Sequence, residues 1–211
     1  MARLTDQGHS KKPAFAPIVR AGLGRVALAA GIAILVIWLT RIQTTDQFAQ
    51  TMIALSLVAT GAIGGAFGSN RLLLRELAPL AIPSNASSKL IATATRSASI
   101  TTAISAVVTT FAIGVIVGEW SPLLLIGSAA ATSTGALLYV VSDGLRATST
   151  ARGRWASELT FGRYGGAAPV WAWLATLFVL RPTDPGAIIA LLALVSAAIG
   201  LPLLLRLRAQ L

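Results

Sequence analysis

Four arginines stand near the ends of long uncharged stretches of this 211-residue chain, where their spacing could bind phosphate. Arg71 and Arg75 are four residues apart and share one face of a helix. Arg25 lies about one helical turn after Arg20, within an apolar run where a buried charge has an energetic cost. One guanidinium group can donate two parallel hydrogen bonds to the oxygens of a phosphate, so these residues predict binding of an anionic phosphate headgroup. The alternative is that they only anchor the ends of helices.

A second set of candidate functional residues has hydroxyl side chains. Four hydroxyl residues recur at every fourth position and therefore form one stripe along a helix: Ser97, Thr101, Ser105 and Thr109. The stripe could line a hydrated cavity, where hydroxyls would meet sugar or headgroup oxygens. Alternatively, each hydroxyl could bond the carbonyl four residues earlier in its own helix.

Glycines recur with the same spacing in an earlier stretch. They form two overlapping pairs, each four residues apart: Gly61 with Gly65 and Gly64 with Gly68. Glycine at this spacing lets a neighbouring backbone approach closely, so we expect these residues to pack helices together. The alternative is that these glycines make the helix flexible or able to slide during a transport cycle.

Several kinds of site are excluded by composition. The chain has no cysteine, and its single histidine, His9, lies in the polar N-terminal region. No pair of carboxylates lies deep within an apolar stretch, and no glycine-rich phosphate loop is present. We therefore predict no catalytic residue, no metal site and no cofactor, and we do not expect an enzyme.

The overall composition indicates a membrane protein. Only 11% of the residues are charged and 55% are hydrophobic, which is too little charge to cover a water-soluble fold. The uncharged stretches are long and continuously apolar, whereas barrel strands alternate. The fold class is therefore predicted to be all-α, a polytopic transmembrane helical bundle.

About six spans are predicted, each close to the length that crosses a bilayer. They cover residues 17–39, 48–69, 97–118, 120–141, 164–180 and 186–205, between polar tails at 1–16 and 206–211. A secretory signal peptide is the alternative for the first stretch. Since residues 38–41 offer no small-residue cleavage site, a retained span is expected.

The positions of the basic residues predict the orientation. Fifteen of the 17 Lys and Arg residues lie near the termini or in the two long connections, and the other two are Arg41 and Arg181. The positive-inside rule then places both termini in the cytoplasm (N-in/C-in) and joins the spans as three hairpins. The same rule explains the net charge of +10, so no nucleic-acid partner is expected. Arginine outnumbers lysine 14 to 3, which hints at a GC-rich bacterial genome and hence at the bacterial cytoplasmic membrane.

The order of these features resembles a known family. The basic opening Arg20-Ala-Gly-Leu-Gly-Arg25 is followed by a short loop at 41–48, a glycine-rich second span, and Ser69-Asn-Arg-Leu-Leu-Leu-Arg75-Glu-Leu-Ala78. This layout is similar to the N-terminal half of the polysaccharide exporters and lipid-linked oligosaccharide flippases of the MATE-like (MOP) superfamily. The resemblance implies transfer of an undecaprenyl-linked oligosaccharide between leaflets. It also implies that Arg20 and Arg25, together with Arg71 or Arg75, meet the pyrophosphate.

The chain departs from that family in its length. Family members have about twice as many spans, in two similar halves with the substrate path between them. We therefore expect a half-length flippase that pairs with itself, as a homo-oligomer, or with a second half-transporter chain. The alternatives are a non-catalytic membrane subunit or permease component, and a small polytopic lipid-modifying enzyme. The missing carboxylate and histidine clusters weaken the last of these.

Overall fold

Six α-helices make up the computed structural model in the residues that it describes, which are 15–68, 75, 85–147 and 167–209. The helices are α1 (Phe15–Ile42), α2 (Thr45–Gly65), α3 (Asn85–Val117), α4 (Pro122–Ala147), α5 (Ala167–Leu180) and α6 (Pro185–Ala209). No β-strand occurs in those residues. The all-α helical bundle predicted from composition is confirmed.

Four of these helices are long and apolar enough to cross a membrane: Thr45–Gly65, Lys89–Val117, Pro122–Leu145 and Pro185–Leu205. Two further apolar segments are shorter, Val26–Ile42 and Ala168–Leu180. These lengths indicate a membrane-embedded bundle. The count of six spans and the cytoplasmic placement of both termini stay predictions.

The third helix is longer than its apolar part. It begins at Asn85, whereas its predicted span begins at residue 97, because Lys89 and Arg96 are good helix formers that extend the helix without being apolar. At 33 residues, α3 is about 50 Å long, compared with roughly 30 Å for the hydrocarbon core of a bilayer. Its first part therefore reaches beyond an apolar layer of that thickness.

Local sequence signals set several helix ends. The Thr44 hydroxyl accepts a hydrogen bond from the Gln47 backbone N–H, and the Gln47 side chain accepts one from the Thr44 N–H, which forms a capping box at the start of α2. At the start of α6, a carboxylate oxygen of Asp184 accepts a bond from the Ala187 N–H at 2.7 Å. Arg181 directly follows the end of α5 and adopts a left-handed backbone conformation, with φ of 48°.

The three short connections lie at the same end of the bundle. The side-chain amide of Gln43, between α1 and α2, donates a hydrogen bond of 2.9 Å to the carbonyl of Thr183, between α5 and α6. A Cβ built on Gly186 would lie 2.8 Å from the backbone nitrogen of Leu124, just after the α3–α4 connection. We call this the turn end. The first part of α3, which carries Lys89 and Arg96, lies at the opposite end.

The helices pack as a four-helix group with a flanking pair. α4 and α6 share the most extensive contact, and α2 lies against α3, α4 and α6. Their shared apolar cluster consists of Ala54, Val58, Ile113, Leu124, Ala131, Ile189 and Ala193. α1 packs mainly on α5, which packs in turn on α6, and α1 makes little contact with α2 beyond the turn end.

Two tryptophans of α5 hold the flanking pair in place. The indole N–H of Trp173 donates to the carbonyl of Ile188 in α6 at 3.2 Å, and that of Trp171 donates to the carbonyl of Ala27 in α1 at 3.0 Å. The Trp171 ring also lies against Gly31, where a Cβ would come within 3.5 Å of its indole nitrogen. These bonds tie α5 to a different helix on each side.

Candidate functional site

The glycines of α2 lie where three helices meet. Gly61 is buried, and a Cβ built on it would overlap the hydroxyl of Thr109 in α3 and approach Thr132 in α4 to 3.1 Å. At Gly65 a Cβ would lie 3.1 Å from the Thr102 Cα and 3.1 Å from the Ala136 Cβ. No larger residue fits at Gly61 without moving a neighbour.

The other two glycines of the motif face outward. Gly64 is exposed, and its nearest neighbour would be the Ser105 hydroxyl at 3.5 Å. Gly68 follows the end of α2 with φ of 87°, and no atom lies within 4 Å of a Cβ built on it. The four predicted packing residues therefore divide into two at the helix contact and two on its margin.

The hydroxyl stripe of α3 bonds to the backbone of α2. Ser105 donates to the Gly61 carbonyl at 2.6 Å, and Thr101 donates to the Gly65 carbonyl at 2.6 Å. Thr102 reaches the same Gly65 carbonyl at 3.3 Å. These hydroxyls bridge two helices and bind the α2–α3 hairpin together.

The remaining members of the stripe differ from one another. Thr109 is buried against Gly61, whereas Ser97 is exposed near the start of the apolar part of α3. In this structure the middle of the stripe lies in a helix contact, and the lining of a hydrated cavity by these residues stays a prediction. One signal was available in the sequence: Gly61 and Gly65 have the same four-residue spacing as Thr101 and Ser105.

A second set of hydroxyls lies on α4 and was not singled out from the sequence. Ser128 and Thr132 are fully buried, and Ser142 is 2% exposed. Among the described residues, none of their hydroxyl oxygens has a hydrogen-bond partner. A buried polar group without a partner carries an energetic penalty. The Gln43 Oε1 and Thr110 Oγ1 atoms are in the same position in the described residues.

The predicted phosphate-binding arginines are only partly placed. Arg20 and Arg25 lie in the first half of α1, at the end away from its turn. Arg71 lies outside the described residues. Arg75 is exposed and is not without an interaction partner. Their joint contact with a phosphate group stays a prediction.

A buried acidic side chain lies near the far end of α4. Asp143 is 8% exposed and lies one helical turn after Tyr139. Neither residue is without an interaction partner. Ionisable groups in apolar segments are expensive to bury, and Asp143 lies near the end of the apolar part of α4.

A compact polar cluster lies at the turn end. The buried Gln43 amide donates both to Thr183 and, at 2.9 Å, to the Thr51 hydroxyl, which itself donates to the Gln47 carbonyl at 2.8 Å. The cluster links the first and third hairpins.

Within the part of the chain that the structure describes, no three His, Cys, Asp or Glu side chains come together as metal ligands would.

Comparison with known proteins adds no family to these observations. No protein-family model matches the sequence, and no curated protein or solved structure shows significant similarity to it.

Proposed function

We propose that this chain is one half of a membrane transporter for lipid-linked polysaccharide precursors. The observation that carries the proposal is the arrangement of the bundle: its short connections lie together at one end, and Lys89 and Arg96 lie at the other. The turn end carries Arg41 and Arg181 together with the carboxylates Asp46, Glu119 and Asp184. Net positive charge is therefore concentrated at the other end, as capture of an anionic lipid on one side requires.

Two further features support a lipid ligand. Arg20 and Arg25 belong to the part of α1 away from the turn, and guanidinium groups are the side chains that bind pyrophosphate oxygens in a bidentate way. Near the turn end, a shallow groove of about 330 Å³ between α2 and α3 is lined by Met52, Ile53, Ser56, Leu57 and Ile116. Its apolar walls suit a hydrocarbon chain.

The proposal includes a partner chain. The flanking helix α1 touches chiefly α5 and leaves Val26, Ile32 and Ile37 exposed. A second copy of this chain, or a second half-transporter, would complete the substrate path.

Transfer across liposomes tests the activity directly. The purified protein, reconstituted in phosphatidylglycerol-containing vesicles with a fluorescent undecaprenyl-pyrophosphate oligosaccharide, should bring label to the outer leaflet, where dithionite quenches it. Arg25→Gln should slow this transfer at least tenfold, because a charge-assisted bidentate contact contributes roughly 1.5–3 kcal/mol. Arg181→Gln, at the turn end, is the matched control and should transfer at the parent rate. Equal slowing by both variants, or no transfer by a verified dimer, would contradict the proposal.

A second candidate is a non-catalytic membrane subunit. The observation that favours it is that Thr101 and Ser105 donate hydrogen bonds to α2 carbonyls. These hydroxyls therefore hold two helices together instead of facing a substrate. Native mass measurement in mild detergent separates the two candidates. A fixed stoichiometry with a nucleotide-hydrolysing chain would favour the subunit, whereas lipid transfer by this chain alone would exclude it.

A further inference from the structure

Aromatic side chains lie near the turn end on two parts of the bundle surface. At α3, the ring of Trp120 contacts Phe111 edge to face, with ring centroids 6.2 Å apart. We call these two residues the α3 aromatic pair. Trp38 of α1 and Phe178 of α5, with centroids 5.3 Å apart, form the flanking aromatic pair. Within the described helices α3 touches neither α1 nor α5, so the two pairs occupy separate parts of the surface.

Both pairs have a ring at the same height, within about 6 Å of the helix ends at the turn end. Trp38 is four residues before the end of α1, and Phe178 is two residues before the end of α5. Trp120 follows α3, but its ring folds back onto that helix, because a Cβ built on Gly114 would lie 2.9 Å from a ring carbon. The left-handed φ of 71° at Gly118 allows this reversal of the chain.

The exposed surface changes in character at this height. From residue 100 to residue 116, every exposed side chain of α3 is apolar. On the other side of the rings, the turn end exposes five charged side chains: Arg41, Asp46, Glu119, Arg181 and Asp184. The rings of Trp120 and Phe111 are themselves 57% and 63% exposed. They therefore lie between an apolar and a charged zone of the surface.

Trp120 also differs from the two tryptophans that hold α5. The indole N–H groups of Trp171 and Trp173 donate to backbone carbonyls, whereas that of Trp120 has no acceptor in the part of the chain that the structure describes. An exposed indole has an apolar ring and one strong donor. It is most stable where the ring lies against hydrocarbon while the donor reaches an oxygen of a lipid or of water.

We propose that the α3 and flanking aromatic pairs bind the boundary between headgroups and acyl chains in one lipid leaflet, and so fix the depth of the bundle in the membrane. The partner is phospholipid. Its acyl chains cover the exposed rings, and its ester or phosphate oxygens accept the hydrogen bond of the Trp120 indole. The proposal does not rest on the transporter function, because it requires only a bilayer.

This depth also predicts where α3 leaves the opposite side of the membrane. A hydrocarbon core of roughly 30 Å corresponds to about 20 residues of helix. Counted back from residues 114–117, the opposite boundary falls at about residues 94–97, where Arg96 lies. Lys89 is then about 10 Å further out, at the height of the headgroups. The two exposed basic residues of α3 thus meet the phosphates of the second leaflet.

Fluorescence quenching by brominated lipids tests the contact at Trp120. The emission of this residue is the difference between the parent protein and Trp120→Phe, both reconstituted in phosphatidylcholine vesicles. Lipids brominated near the glycerol end of their acyl chains should quench this emission about twofold more strongly than lipids brominated near the methyl end, because indoles at the boundary are close to the headgroups. The matched control is the same subtraction with Trp173→Phe. Trp173 is 3% exposed, so neither lipid should quench its emission appreciably.

Two results would overturn the proposal. Stronger quenching of Trp120 by bromine near the methyl end would place its ring in the membrane interior. Quenching by neither lipid, in folded and reconstituted protein, would show that water or a second copy of the chain covers the ring instead of lipid.

Cysteine labelling tests the predicted depth separately, since the chain contains no cysteine. Positions 92 and 104 are both exposed on α3, so the protein itself shields neither of them, and the predicted boundary lies between them. In open membrane fragments, a small water-soluble thiol reagent should modify Ala92→Cys about tenfold faster, or more, than Ile104→Cys, because hydrocarbon covers only the second position. After unfolding in SDS the two rates should be equal. Equal rates in the membrane, or an Ala92→Cys protein that reacts only after unfolding, would contradict this depth.

Discussion

Adding one methyl group at Gly61 is expected to destabilise the bundle, although alanine is the better helix former. The new Cβ would overlap the Thr109 hydroxyl and press on the Thr132 methyl at 3.1 Å. Either Thr109 must leave its position or α2 must move away from α3 and α4. The second response would also lengthen the 2.6 Å bond from Ser105 to the Gly61 carbonyl.

The size of the effect follows from three terms. Overpacking of a filled contact costs about 1–3 kcal/mol. Weakening of one interhelical hydrogen bond in a membrane protein costs about 0.6 kcal/mol. Replacing glycine by alanine within a helix returns about 1 kcal/mol. The expected loss in free energy of unfolding is therefore about 0.6–2.6 kcal/mol.

Gly64→Ala is the matched control on the same helix. Its Cβ would meet only the Ser105 hydroxyl, at 3.5 Å, which is an ordinary contact. This variant should keep the gain of about 1 kcal/mol in helix propensity and lose nothing. The two alanine variants, three residues apart, should thus differ by about 2 kcal/mol or more, with opposite signs.

The measurement is SDS-induced unfolding in mild detergent, followed by tryptophan fluorescence. Thr109→Ala, combined with Gly61→Ala, should recover part of the loss, because it removes the overlapping hydroxyl. A double-mutant cycle should give a coupling of about 1 kcal/mol. Similar shifts for Gly61→Ala and Gly64→Ala, or no coupling with Thr109→Ala, would refute the proposed close contact.

Three other substitutions test separate parts of the fold in the same assay. Ser105→Ala should lower the free energy of unfolding by about 0.6–1.7 kcal/mol through loss of its interhelical bond, while Ser99→Ala should change it little; equal effects would contradict the bridging role. Arg181→Gly should raise it by about 1 kcal/mol by relieving the positive φ, whereas Arg181→Ala should not. Trp173→Phe should lower it by about 1–2 kcal/mol, through a small cavity and loss of the bond to Ile188, and an unchanged value would show that α5 is held in some other way.

Much of the secondary structure could be predicted from the sequence, because its causes are local. Long uncharged stretches predict helices, and the structure has four that are long and apolar enough to span a bilayer. The boundaries were less predictable. α3 begins at Asn85, ahead of its predicted span, because hydropathy locates the apolar part of a helix but not the charged turns that extend it.

The candidate site was harder to predict from the sequence. The spacing of Gly61 with Gly65, and of Thr101 with Ser105, predicted a packing face and a hydroxyl stripe as separate features. The structure joins them through two 2.6 Å bonds. Periodicity shows which residues share a face, but not which helix that face meets.

The sequence by itself therefore determined the helices, their apolar character and the uneven distribution of charge along the chain. Only the tertiary structure decided how each helix is rotated about its axis. That rotation brings Thr101 and Ser105 of α3 to carbonyls of α2, and it leaves Ser128, Thr132 and Ser142 of α4 without a hydrogen-bond partner in the residues described. The physical reason is that the rotation of a helix is fixed by packing against all its neighbours together, and these neighbours come from distant parts of the chain.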